Sequence, residues 1–297
     1  MPELPEVETI ARGLRKHLPG RRIAAVEVRH PAVLCGSSSD FARVLAGARI
    51  REITRTGKFL VLSLEKETRR LALIIHLGMT GQLLLSLPDA PVQEHTHLML
   101  AFADGELELR YRDIRRFGRI RLLKNDQVPE FFAHLGQDPF EITPEELRVR
   151  LRGRKAPIKT VLLNQAILRG LGNIYADESL FAAGIHPQRR AGALTRSELA
   201  RLLRGMRRVL ARAIAHRGSS VSNYITAEGA SGDYQRHHCV YRKHGQPCRR
   251  CGALIERMIL AGRSSHFCPR CQPRRVARLR GSSAEARVAA AIARAYD

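Results

Sequence analysis

The sequence predicts a multidomain α+β chain: a leading helix with a β-sandwich, a helical domain, a small cysteine module and a tail. Three observations predict it. Short, partly alternating apolar runs separated by Gly, Asp or Pro fill most of residues 1–125, as in a β-sandwich or barrel. From Pro129 onward the apolar spacing becomes helical. Two Cys-x2-Cys pairs then stand sixteen residues apart near the C-terminus. The expected boundaries are 1–128 for the β domain, 129–236 for the helical domain, 237–272 for the cysteine module and 273–297 for the tail.

Val7, Ile10, Ala11, Leu14 and Leu18 recur at helical spacing, and Pro19-Gly20 ends that first helix. The runs RIAAVEVR, KFLVLSL, LALIIHLG, HLMLAF, ELELRY and RIRLL read as strands. TPEELRVRLRG, PIKTVLLNQAILRG, NIYADESLFAAG and TRSELARLLRGMRRVLARAIAHRG read as helices punctuated by Gly and Pro. No internal repeat is present.

The 297 residues carry a formal net charge of +23. Residues 1–125 hold 21 bases against 14 acids, and the rest of the chain 30 against 14. A charge so large and so skewed points to a polyanionic partner, nucleic acid above all. An arginine-rich surface would account for it too, since 44 of the 51 bases are Arg. No apolar run reaches the length of a membrane span, and no secretory signal opens the chain. The expectation is an intracellular protein without membrane attachment.

Cys248, Cys251, Cys268 and Cys271 have the spacing of two zinc knuckles around one tetrahedral ion. Two disulfides are the alternative, disfavoured in an intracellular chain. Four thiolates leave no open position for water, so the zinc is structural. Cys35 and Cys239 are left over as ordinary thiols, and the adjacent His237, His238 and Cys239 are poorly spaced to chelate one ion together. Between the knuckles, ERMILAGRSSHF reads as strand, turn, strand with Arg263 at the turn, where it is either solvated or able to reach a phosphate.

The first ten residues, MPELPEVETI, hold three glutamates and no base. Carboxylates favour the start of a helix, and Pro5 suits its first position. Pro2 has no such explanation. An initiator methionine is removed when a small residue follows, and removal would free the secondary amine of Pro2. An α-amino group titrates near neutrality and can be nucleophilic. Attack on an aldehyde-like carbon gives an iminium, an electron sink for elimination, and the adjacent Glu3 can move protons.

MPELPEVET, GKFLVL, HLGMTGQL, RRFG, LGNIYADESLFAAGIHP and VYRKHGQPCRRCG together closely resemble the formamidopyrimidine-DNA glycosylase family of base-excision repair, over residues 1–272. The resemblance implies an N-terminal β-sandwich, a helix-two-turn-helix domain and a zinc-finger hairpin gripping damaged double-stranded DNA. It implies a monomeric cytoplasmic enzyme at the nucleoid with one structural Zn2+. The implied activity is excision of oxidised purines such as 8-oxoguanine and formamidopyrimidines through a Schiff base on Pro2, then β,δ-elimination.

Residue by residue, the resemblance makes Pro2 the nucleophile and Glu3 its proton-transfer partner, with Glu6 and Glu178 supporting the site. Lys58 acts in catalysis beside a phosphate, and Lys58 and Arg263 join Glu3 as candidate proton donors. Lys58, Lys159, Asn173 and Arg263 contact DNA. Met79, Arg115 and Phe117 fill the gap left by a base that has left the stack. Without the resemblance, Lys58 reads as a solvated strand residue, Gly170, Gly172 and Asn173 as a helix cap, Met79 as a turn residue and Phe117 as core.

Two stretches depart from the family pattern: Asp113-Ile114, and the loop AEGASGDYQRHH, which bears on lesion preference. The alternatives are an endonuclease VIII-like enzyme for oxidised pyrimidines and a DNA-binding relative without catalysis. In the tail, the acid-free PRRVARLRG suggests a phosphate-binding arm, and a short helix is expected from about Ser283 to Tyr296.

Overall fold

The structure, a computed structural model, describes residues 1–221 and 223–274. The expected tail helix and all but the first residues of the arginine arm lie outside the described residues. The chain opens with α1 (Leu4–His17), followed by β1 (Ile23–Val28), β2 (Leu34–Cys35) and α2 (Ser38–Leu45). Next come β3 (Arg49–Thr56), β4 (Phe59–Lys66), β5 (Arg69–His76), β6 (Gly81–Ser86), β7 (Thr96–Phe102), β8 (Glu108–Asp113) and β9 (Arg119–Lys124). The helical part contains α3 (Val128–Phe132), α4 (Pro144–Leu151), α5 (Ile158–Leu162), α6 (Asn173–Ala183) and α7 (Arg196–Ala215), and a hairpin of β10 (Glu256–Leu260) and β11 (Arg263–Phe267) ends it.

Two sheets form the sandwich, in the orders β1-β7-β8-β6 and β2-β9-β5-β4-β3. Pairing is antiparallel except between β2 and β9. The alternation of β4 shows why both of its faces read as apolar. Leu60, Leu62 and Leu64 enter the core between the sheets, while Val61 lies under Phe131 and Phe132 on the outer face. Helix α1 plugs the sandwich with Val7, Ile10 and Leu14, whereas its first residue, Leu4, belongs to the core of the helical domain. The start of α1 therefore sits where the two domains meet.

Arg55 fixes that junction. Its guanidinium bonds Glu8 of α1 at 3.1 Å and Asp138 of the helical domain at 3.0 Å, with all three side chains largely buried. Of the three opening glutamates, Glu8 thus serves structure, held also by Arg12 and Arg15.

Two differences from the sequence expectation have local causes. PIKTVLLNQAILRG is not one helix: α5 stops at Leu162, and the Asn164 side chain accepts from the amide of Ala166, the side-chain competition that ends helices. Arg263 does not sit at the hairpin tip but opens β11, opposite Leu260, with Ala261-Gly262 making the turn.

Candidate active site and zinc module

The carboxylate of Glu3 is built into the start of α6. Its Oε2 accepts from Gly172 N at 2.7 Å and Tyr175 N at 3.3 Å, and its Oε1 from Ile174 N at 2.9 Å. These are the free amides of a helix N-terminus, which favour an anion. Leu4 N also bonds Gly170 O at 2.9 Å, so α1 and the turn before α6 are tied by backbone as well. Burial pushes the Glu3 carboxyl up, opposed chiefly by the Lys58 charge and then by the three amides.

Glu6 lies one turn on and is equally buried. It accepts from the amides of Glu3 and Ser219, both at 2.8 Å, and from the hydroxyl of Tyr175. Burial, then repulsion from Glu3, raises its pKa to about 7. Pro2 is buried beside this pair, and burial lowers the α-amine of Met1 ahead of it. Burial at this end of the chain disfavours the charged form of an amine.

Positive charge faces the pair. Lys58, at the turn before β4, is buried, and desolvation lowers its pKa against the attraction of Glu3. The charges of Arg263 and Glu6 also act on Lys58, placing the hairpin arginine in the same field. His76, on the neighbouring strand β5, is shifted down by burial and then by Lys58. Asn173 is the first residue of α6, and its buried Oδ1 has no hydrogen-bond partner among the described residues.

A second cluster lies on the sandwich. Met79 and Phe117 are exposed; the Arg115 guanidinium stacks 4.4 Å from the Phe117 ring centroid and its Nη1 lies 3.4 Å from Met79 Sδ. The fully buried Asp113 holds both loops together. Its Oδ1 accepts from the hydroxyl of Thr80 and the amide of Arg115, and its Oδ2 from Gly118 N and the hydroxyl of Tyr111. The exposed apolar tips are thus presented on a rigid base.

Lys159 requires a correction. It was expected to touch DNA, but its side chain is only 1% exposed and its Nζ pairs with Asp177 at 2.7 Å and donates to Ser264 O at 2.6 Å. Asp177 in turn accepts from the amide and the ring of His266. Lys159 and Asp177 therefore bolt β11, and with it Arg263, onto α6 from inside. Glu178, beside Asp177 on α6, supports the site only at one remove. It accepts the amides of Cys239, Val240 and Tyr241, the segment leading to Arg242, whose charge acts on the Met1 amine.

The four cysteines converge. Their Sγ atoms lie within 4.8 Å of one another, with 3.4 Å between Cys251 and Cys268 and 3.9 Å between Cys248 and Cys271. Thiolates about 2.3 Å from a tetrahedral zinc stand roughly 3.8 Å apart, so the set fits one ion. The amides of Arg250 and Cys271 point at Cys248 and Cys268 sulfurs, the usual support for bound thiolates. The module is a one-zinc structural site that stiffens the hairpin carrying Arg263.

Sequence reasoning missed Tyr175, Ser219, Asp177, His76 and the roles of Gly172 and Gly218. Gly218, with φ +76°, faces Glu6 so closely that a Cβ would lie 2.8 Å from its Oε1. One glycine stands against each carboxylate, Gly172 against Glu3 and Gly218 against Glu6.

Comparison with known proteins agrees with this architecture. Family models match residues 1–120 as the formamidopyrimidine-DNA glycosylase N-terminal domain and 135–224 as the formamidopyrimidine-DNA glycosylase H2TH domain. Residues 245–274 match the zinc finger found in FPG and IleRS. A formamidopyrimidine-DNA glycosylase of Solibacter usitatus is 46% identical over 275 residues, covering 92% of this chain and all of that protein. A Lactococcus lactis FPG mutant in complex with a Fapy-dG-containing DNA superposes with a TM-score of 0.86 at 37% identity, again over 92% of this chain and all of the other. The Lactococcus lactis Fpg bound to abasic-site DNA gives 0.85 at 38% identity with the same coverage.

Proposed function

The chain belongs to the formamidopyrimidine-DNA glycosylase family, and on that footing we propose that Pro2, freed by removal of Met1, is the nucleophile of its reaction. The protein is a DNA glycosylase that repairs oxidised purines, with the abasic-site lyase activity general to the family. Its partner is damaged DNA. The reading extends to a monomer at the nucleoid of the cytoplasm. Among the described residues, no helix is long and apolar enough to cross a membrane.

One observation carries the assignment: the Glu3 carboxylate, adjacent in sequence to Pro2, is locked by three amides at the start of α6, and burial pushes its pKa up. The chemistry then follows. The Pro2 nitrogen bonds to C1′ as the bond from C1′ to the base breaks, and the departing base takes up a proton. Opening the sugar requires the C1′–O4′ bond to break with protonation of O4′, for which Glu3 is the donor within reach. The iminium so formed draws off the electron pair of the C2′–H bond, and the 3′ phosphate leaves. A second proton loss expels the 5′ phosphate, and water hydrolyses the iminium to free Pro2.

Lys58, Asn173 and Arg263 hold the phosphates around the extruded nucleotide, while Met79, Arg115 and Phe117 fill the space it leaves. Arg115 donates to the base opposite, which favours cytosine because it presents acceptors.

Borohydride reduction during reaction with an 8-oxoguanine·cytosine duplex tests this. A covalent adduct on the peptide that begins at Pro2 is expected. An adduct on Lys58 would reassign the nucleophile, one formed only with oxidised pyrimidine would make the enzyme endonuclease VIII-like, and none at all would leave a DNA-binding protein.

A further inference from the structure

Apart from the zinc module, one more group of metal-ligating side chains converges among the described residues: His216, just past the end of α7, with Asp233 and His237 from the loop that follows. The ligand atoms lie within 4.8 Å of one another, and all three residues are half-buried. His216 Nδ1 stands 3.1 Å from Asp233 Oδ1, and the two imidazoles lie with centroids 4.0 Å apart, tilted by 50°. The backbone prearranges them: Asp233 N donates to His216 O at 3.0 Å, Tyr234 N to Gly218 O at 3.0 Å and Arg236 N to Asp233 O at 3.1 Å.

We propose that His216, Asp233 and His237 form a second metal site, taking a first-row divalent ion such as Zn2+. Two imidazoles and a carboxylate suit zinc, copper, nickel and iron, and three protein ligands leave a fourth position for water. Ligands about 2.1 Å from a tetrahedral ion stand roughly 3.4 Å apart, so no pair of the trio needs to close by more than about 1.4 Å. His216 and Asp233 are near that spacing already.

The site also holds a cation of the protein's own. Arg212, one turn earlier on α7, brings Nη2 to 3.0 Å from His237 Nδ1. A hydrogen bond from guanidinium requires that nitrogen to be unprotonated, the state in which it binds metal. The metal would displace Arg212, which can swing outward from the exposed helix face. Bound there, an ion would clamp residues 233–237 to the end of α7, two to three residues from Gly218 and Ser219, which touch Glu6.

The test uses the full-length protein with its thiolate site loaded. After equilibration with Zn2+ and desalting, metal analysis is expected to give two equivalents for the wild type and one for His237→Ala and for Asp233→Asn. The retained equivalent reports an intact zinc module, so loss of the second is not unfolding. Arg212→Met should bind the second equivalent severalfold more tightly, because the competing charge is gone. Co2+ added to zinc-loaded protein should give weak d–d bands without thiolate charge transfer. A wild type that stops at one equivalent overturns the proposal. So does a second equivalent that survives both ligand variants, or one that shows thiolate bands.

Discussion

A Cβ on Gly172 would lie 2.4 Å from Cδ of Glu3, nearer than any real contact allows. The residue that donates the shortest hydrogen bond to Glu3 is thus also the one whose lack of a side chain admits it. Gly172→Ala must push the carboxylate away or shift the start of α6, an overpacking that costs about 1–3 kcal/mol. Single-turnover excision of 8-oxoguanine should fall at least about tenfold, which is 1.4 kcal/mol in the barrier. Duplex binding should change less than excision, since of the proposed phosphate contacts only Asn173 lies on the shifted helix start, while Lys58 and Arg263 stand on other elements. Wild-type excision in this variant would show that Glu3 need not sit on the helix amides.

Glu6 makes stability depend on pH in an unusual direction. Its carboxyl is raised from 4.5 to about 7, so between those values the folded state holds a proton that the unfolded chain has lost. Stability from this group is complete below about pH 4.5, declines as pH rises, and levels off above about 7, a loss of about 3 kcal/mol. Urea unfolding of wild type and Glu6→Gln across pH 5–7.5 isolates it, because effects of zinc release are common to both proteins. The wild-type stability should fall relative to the variant as pH rises. A constant difference would mean that Glu6 is ionised throughout.

The site was legible where it is local in sequence and hidden where it is not. Pro2, Glu3 and Glu6 stand in one turn, and the cysteines carry their function in their spacing. Tyr175 and Ser219, by contrast, lie 169 and 213 residues from Glu6, and no pattern in the chain joins them. Lys159 misled because a lysine looks the same in sequence whether it meets phosphate or a buried aspartate; the Asp177 that claims it lies on another helix. In the fold, β6 was touched only by the end of the motif HLGMTGQL, and β3 was missed because Arg and Glu dominate its exposed face.

Lys159 tests that correction. Replacing it by Met keeps most of the buried volume but leaves Asp177 without its cation, and breaking a buried pair from one side costs about 3–5 kcal/mol. Lys159→Met should therefore lower the melting temperature and loosen the hairpin that carries Arg263. The double variant with Asp177→Asn should recover much of the stability, since no lone charge remains. A direct phosphate contact predicts otherwise: normal stability with weaker, less salt-dependent binding.

Asp113 offers the last test, because its carboxylate serves the two loops that present Met79, Arg115 and Phe117. Both oxygens act as acceptors, Oδ2 from Gly118 N at 2.8 Å and from the Tyr111 hydroxyl at 3.1 Å. Asp113→Asn keeps the shape but must set an NH2 group against one pair of donors. The Tyr111 and Thr80 hydroxyls can turn to accept, whereas the Gly118 and Arg115 amides cannot. In either orientation one backbone donor therefore loses this acceptor, at about 1–3 kcal/mol for the buried Gly118 amide. Gly118 has no freedom to move aside: a Cβ there would already overlap the Tyr111 hydroxyl. The loop of Arg115 and Phe117 should become mobile while Pro2, Glu3 and Lys58 stay in place. Excision opposite cytosine should then lose its advantage over excision opposite adenine, with abasic-site cleavage nearly unchanged. An unaltered preference together with an unaltered melting temperature would show that Asp113 does not hold the wedge.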